Sequence, residues 1–129
     1  MEYKKYDVAD NIRKSYEQAI RCMMFDAPDA AFAMLRKTLQ RICKNKNAKE
    51  ETLPDQINEI MPEELKAEAR EVKKWGDIGS HSEYDVPNVN IDQVKEVKEF
   101  MDKILLSLYV HPNKLKNSKK KTDEITSKK

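Results

Sequence analysis

Glycine is almost missing from this chain: two residues in 129, where ordinary usage near ~7% would give about nine. Sandwiches and barrels need many turn residues that tolerate positive φ, so an all-β fold is excluded, as are collagen-like and low-complexity chains. Tryptophan occurs once, histidine twice and cysteine twice. Cys22 and Cys43 form no Cys-x-x-Cys pair and each falls inside a helical pattern, so they read as two small apolar residues rather than a redox or zinc motif, with a disulfide between them as the open alternative. No apolar run approaches the 18 or so residues of a membrane span, and the first seven residues carry no signal-peptide core. These readings lead to the expectation of a cytoplasmic protein with no membrane contact, no metal and no cofactor.

Charge is plentiful but unevenly placed. Charged residues make up 37% of the chain, above the usual quarter, and the net charge is +2. Residues 1–112 hold eighteen basic and twenty-one acidic side chains, a balance of −3, whereas the last seventeen residues hold seven lysines against Asp123 and Glu124. The body thus lacks the basic excess that marks many nucleic-acid binders. The expected organisation is a bundle domain over 1–112 and a Lys-rich, flexible, disordered tail over 113–129. Such a tail either aids solubility or touches phosphates and acidic surfaces.

Apolar residues, 39% of the total, recur with helical spacing. Ile12, Tyr16, Ala19, Ile20 and Met23 stripe a first helix from about Val8 to Phe25. Phe32, Leu35, Leu39 and Ile42 stripe a second, which Pro28 opens and which runs to about Lys44. Thr52 reads as the N-cap of a short third helix bearing Leu53, Ile57 and Ile60. A fourth follows Pro62, with Leu65, Ala69 and Val72 inward, and is expected to stop near Trp75 because Gly76 follows. The fifth begins near Ile91, capped by Asn90 and Gln93, and is expected to end near Tyr109, before Pro112. Five amphipathic segments with short links predict an all-α, small antiparallel bundle of about five helices.

One segment stands apart. Between the fourth and fifth helices, 76–89 reads as a loop, and both glycines fall in its first four residues, beside the lone tryptophan: Trp75-Gly76-Asp77-Ile78-Gly79-Ser80-His81. Glycines permit close approach to a ligand, and a histidine moves protons near neutral pH. Equally, Gly76 serves as a helix C-cap, Gly79 as a tight-packing position and His81 as a pin fixing the loop. His111 reads as a helix-end residue suited to the dipole. Tyr3, Tyr6, Met24 and Phe25 suit either local packing or a dimer seam.

In order and content, Tyr16-Glu-Gln-Ala19, Leu35-Arg36-Lys37-Thr38-Leu39-Gln40 and the run from Lys73 to His81 resemble the family called domain of unknown function 4145 (DUF4145). That family is similar in turn to the HEPN (higher eukaryotes and prokaryotes nucleotide-binding) helical domains, many of them ribonucleases of defence and toxin systems. The resemblance covers roughly residues 13–110 and implies a HEPN-like bundle. At the loop, family members look like Arg-x-x-Gly-Asn-x-x-Ala-His. Here Gly76 and His81 match, while Asp77 stands for the asparagine, Ser80 for the alanine and Lys73 for the arginine.

The resemblance implies two readings. In the first, the chain is a non-catalytic binding or interaction module of a prokaryotic defence or nucleic-acid-processing system. Arg36, Arg70, Trp75, Gly76, Asp77, Gly79 and Ser80 are then its candidate binding residues. In the second, it is a metal-independent endoribonuclease in which His81 moves the proton and Lys73 or Lys74 steadies the phosphate at a dimer interface. The second reading is weakened because active HEPN ribonucleases place an arginine four to six residues before the histidine. Arg70 is too far from His81, and a lysine lacks the guanidinium fork. Arg36 resembles an arginine of the family's second helix and either faces the same cleft or pairs with an acid. The implied partners are a second copy of the chain, RNA or DNA, or a protein of a restriction or toxin system.

Overall fold

Helix α1 spans Asp10–Met24 and buries Ile12, Ser15, Tyr16 and Ala19, the face its sequence period marks. In the computed structural model, which describes residues 8–80 and 89–127, it leads into α2 (Pro28–Asn45) through a tight elbow. Helix α3 (Leu53–Ile60) and a 3-10 turn (Glu63–Leu65) precede α4 (Lys66–Ser80). Helix α5 (Ile91–Leu105) passes through a π turn (Leu106–Val110) into α6 (His111–Ser127). The fold is an all-α bundle. Residues 81–88, and with them His81, lie outside the described residues, as do Tyr3 and Tyr6.

Helix α2 is the central stave, packed against α1, α4, α5 and α3. Phe32, Leu35, Leu39 and Ile42 are fully buried on it and meet Ile12, Val72, Val94, Met101 and Ile104 in one continuous core. Two polar ties fix the neighbours. Between α1 and α2, the Ser15 and Thr38 hydroxyls lie 2.9 Å apart, and each also reaches a carbonyl one turn back on its own helix. Between α1 and α5, the Tyr16 hydroxyl donates to Asp102, which also accepts from Lys98 at 2.8 Å. Buried hydroxyls with partners avoid the cost of stranded polar groups.

The caps follow the sequence signals. Thr52 accepts from the Asp55 amide, and Asn90 and Gln93 form a reciprocal capping box at the start of α5. The C-terminal ends of α1 and α2 close in Schellman geometry: Ala27 N–H donates to Cys22 O and Asp26 N–H to Met23 O, and Ala48 and Asn47 repeat the pattern. Asp26 (φ 54°) and Asn47 (φ 65°) hold the left-handed position that glycine usually fills. Aspartate and asparagine tolerate it best among the other residues.

Two expectations about helix ends are corrected. Helix α4 does not stop near Trp75; it runs unbroken through Gly76 and Gly79 to Ser80, and neither glycine has positive φ. Gly76 is therefore not a C-cap, and the predicted loop loses its first five residues to the helix. Nor does helix end before Pro112. Proline has no N–H to give the carbonyl four residues back, and its ring crowds that carbonyl. Here the π turn absorbs the mismatch: the His111 amide reaches five residues back to Leu106 O, and Pro112 enters α6 at its second position. Tyr109 anchors the turn, donating to Asn45 Oδ1 at 2.6 Å beneath the Lys46 ammonium. Burial and the nearby Cys43 push the tyrosine pKa up to about 12, so it stays a neutral donor.

Where the sequence predicts a flexible tail from 113, the structure carries helix to Ser127. Lysine, leucine and glutamate favour helix, and neither glycine nor proline follows Pro112. Leu115 and Ile125 are exposed on it, and its main contact with the rest of the fold is the π turn. Cys43 is buried, with its pKa raised to about 11 by burial and by Glu59, and Cys22 is partly covered; both are free thiols. Among the described residues, no helix is long and apolar enough to cross a membrane.

Candidate functional site

Three α4 positions meet three α2 positions in antiparallel register. Trp75 stacks on Phe32, ring centroids 5.2 Å apart and planes at 26°. Gly76 faces the Arg36 stem so closely that a Cβ there would lie 2.2 Å from Arg36 Cβ. Gly79 faces the first turn of α2, where a Cβ would lie 2.5 Å from the Asp29 carbonyl oxygen and 2.9 Å from Phe32 Cβ. The helical period explains the pattern: 29, 32 and 36 share one face of α2, and 72, 76 and 79 one face of α4. The glycines let two backbones approach where any side chain would force them apart.

Asp77 follows Gly76 at the edge of this contact. Its carboxylate accepts from Arg36 Nε at 2.8 Å across the helix pair and from Lys73 Nζ at 2.5 Å one turn back. The carboxylate side chain is only 17% exposed. Burial works against its ionisation, but the hydrogen bond and charge of Lys73, joined by those of Arg36, outweigh it and hold the carboxyl below its usual range. Arg36 therefore pairs with an acid, one of the two roles its sequence position allowed.

The other sequence-marked residues do not join this group. Lys74 is exposed on the outer side of α4. Arg70, also exposed, donates to Asn58 on α3 at 2.9 Å. Ser80 is the exposed last residue of α4. The structure thus brings together Arg36, Lys73, Trp75, Gly76, Asp77 and Gly79, and sets Lys74, Arg70 and Ser80 apart. Phe32 and Asp29, the α2 half of the contact, carry no sequence signal beyond an apolar stripe and a first-turn acid. Among the described residues, no group of three or more His, Cys, Asp or Glu side chains is placed to hold a metal ion.

The bridge predicts a pH signature. A carboxyl whose folded pKa lies below its unfolded value stabilises the fold above the ordinary carboxyl pKa near ~3.9, and that stability is lost as pH falls through the folded value. Asp77→Asn keeps the shape and removes the charge. Near neutral pH it is expected to cost on the order of 1–2 kcal/mol, discounted for partial solvent access. In urea melts the gap between the two proteins should close as pH drops below the ordinary carboxyl range. A gap that stays constant to well below that range would rule the bridge out as its source.

No curated protein and no solved structure matches the chain. A family model does: the one described as Domain of unknown function (DUF4145) matches residues 17–127, from the middle of α1 through the last residue of α6. The match takes in the whole α2–α4 contact with its two glycines, and on that span the chain belongs to the DUF4145 family.

Proposed function

We propose that this chain is a helical interaction module of HEPN type, without chemistry of its own, serving a prokaryotic nucleic-acid-processing or defence system. One observation carries the reading: the Asp77 carboxylate takes both Arg36 and Lys73. A phosphate reaching either cation has to displace a mostly buried carboxylate that already satisfies it. The two glycines likewise offer no cradle, because α2 occupies the space above them. An electrophilic stabiliser for phosphoryl transfer has to be aimed at the reacting oxygen before the reaction begins. Here the pair is aimed at a helix–helix joint.

Helix α6 supplies the surface for a polyanionic partner. Lys114, Lys116, Lys119, Lys120 and Lys121 lie along it, outside an acidic body. Phosphate backbones are gripped by such rows through counterion release.

The test has two arms. RNA incubated in chelator with the wild type or with His81→Ala is expected to decay at the same background rate. Cleavage by the wild type that vanishes in His81→Ala would overturn the proposal in favour of the ribonuclease reading, with Lys73 or Lys74 at the phosphate. In filter binding, a chain ending at residue 112 is expected to hold nucleic acid more weakly than the full chain. Its salt dependence should also be flatter, by ~0.9 in the log–log slope for each duplex phosphate that α6 would otherwise neutralise. Identical slopes would remove α6 from the binding surface.

A further inference from the structure

The acidic body carries one run of the opposite sign. From Ala30 to Lys49 there are six basic residues and no acid, which leaves twelve basic against twenty-one acidic side chains in the rest of 1–112. Two of the six are occupied within the fold: Arg36 holds Asp77, and Lys46 lies over the Tyr109 ring. Lys37, Arg41 and Lys44 follow one another at spacings of four and three, which puts them on one stripe of α2. Lys37 and Lys44 are exposed and Arg41 is half-buried. Among the described residues, none of the three forms an ion pair with a carboxylate. Arg41 instead crosses to α1 and donates to the Asn11 carbonyl at 2.6 Å. Traced back by the helical period, the stripe runs through Met34, Ala33 and Ala30. These three, with Gln18, Arg21 and Cys22 of α1, line an apolar hollow of about 370 Å³.

We infer that this face of α2 docks an acidic amphipathic helix of a partner protein, whose apolar residues fill the hollow and whose carboxylates run along Lys37, Arg41 and Lys44. Charge complementarity selects the occupant. Cations without acids of their own attract an anionic partner and gain from its carboxylates what the fold does not give them. The hollow narrows the choice further. Its lining is mostly apolar, and a phosphate backbone has nothing to bury there, whereas an amphipathic helix brings apolar anchors and charges on one face. The dimensions agree. Ala30 to Lys44 spans about 21 Å at the rise of an α-helix, which is about four turns of a partner lying alongside. Ala30 and Ala33 have no side chain beyond Cβ to hold such a helix off. The inference rests on the reading of the chain as an interaction module, to which it adds the face and the chemistry of the partner.

The experiment selects binders to the full chain from a displayed library of helical peptides of ~18 residues, long enough to span the face. Leucine, alanine, glutamine, glutamate and lysine are randomised along them. Selection is expected to enrich peptides with leucine towards one end and glutamate along the rest. For a selected peptide, followed by fluorescence anisotropy, Lys37→Glu combined with Lys44→Glu should raise the dissociation constant at least about tenfold, and the effect should shrink at high salt. Ala33→Glu, which fills the hollow with a like charge, should raise it about 100-fold, the scale of a central anchor site. Lys119→Glu combined with Lys120→Glu, on α6, should leave it unchanged. Circular dichroism checks that each variant keeps its helix. Enrichment of basic or uncharged peptides, or of none, overturns the inference, as does a binder indifferent to the α2 variants. Poly(U) RNA that displaces the peptide, and is itself weakened by Lys37→Glu with Lys44→Glu, would overturn it in favour of a phosphate site. RNA cleavage that depends on His81, beside intact peptide binding, would keep the docking face and remove only the non-catalytic reading. Absence of both cleavage and acidic binders would remove the docking face alone.

Discussion

Replacing Phe32 with alanine is expected to remove about 3–5 kcal/mol of stability, the range for truncating a buried aromatic. The ring is fully buried, stacks on Trp75, and has its Cβ beneath Gly79, so it sits at the centre of the α2–α4 contact. Neighbours cannot collapse into the space. On the α4 side they are glycine, which has nothing to move, and the tryptophan that the ring supports. With total stability of a domain this size near ~5–15 kcal/mol, the variant should unfold at markedly lower urea. Trp75 is the only tryptophan, so its fluorescence reports the contact directly. The emission should shift to the red in the folded variant, before any denaturant is added. A loss below about 1 kcal/mol with unchanged emission would mean that the joint is not as closely packed as described.

Gly76→Ala is the second large effect, and its sign is the informative part. Inside an ordinary helix this exchange stabilises by about 1 kcal/mol, because alanine has less backbone freedom to lose. Here the added methyl would sit 2.2 Å from Arg36 Cβ and under 3 Å from its Cγ and Cδ. The near end of the arginine stem cannot swing away, so the helices must separate or Arg36 must leave its rotamer and release Asp77. Overpacking of this kind costs about 1–3 kcal/mol and outweighs the helix gain. Gly79→Ala meets the Asp29 backbone carbonyl, which has still less room to give. Lys74→Ala, exposed on the same helix, is the control and should be neutral or slightly stabilising. Thermal melts of the three variants decide the matter. Stabilisation by Gly76→Ala would show that α2 and α4 lie farther apart than the structure places them.

The features legible in the sequence are those written in short range. Apolar spacing places α1, α2 and α3 to within a residue or two and the start of α5 at Ile91, and the Thr52 cap and the Asn90–Gln93 capping box fall where their residue types predict. The departures share one origin. Glycine at 76 reads as a chain breaker and proline at 112 as a terminator, because each residue disfavours helix when judged alone. At 112 one wider turn, anchored by Tyr109 on Asn45, carries the helix onward. The family match extends to 127, past residue 112, where charge and proline suggest that the domain closes.

Within the candidate site, Arg36 and Asp77 are 41 positions apart, and nothing in either segment announces the other. The sequence alone determined an all-helical chain with its staves, caps and charge layout, since periodicity and capping act within a few residues. Only the tertiary structure decided what the two glycines do. Asp26 and Asn47, whose side chains tolerate the conformation, take the left-handed turns. The glycines remain helical, where the absence of a side chain lets α4 lie against Asp29, Phe32 and Arg36. Whether a glycine makes a turn or a contact depends on what stands opposite it, and that is set by packing between distant segments.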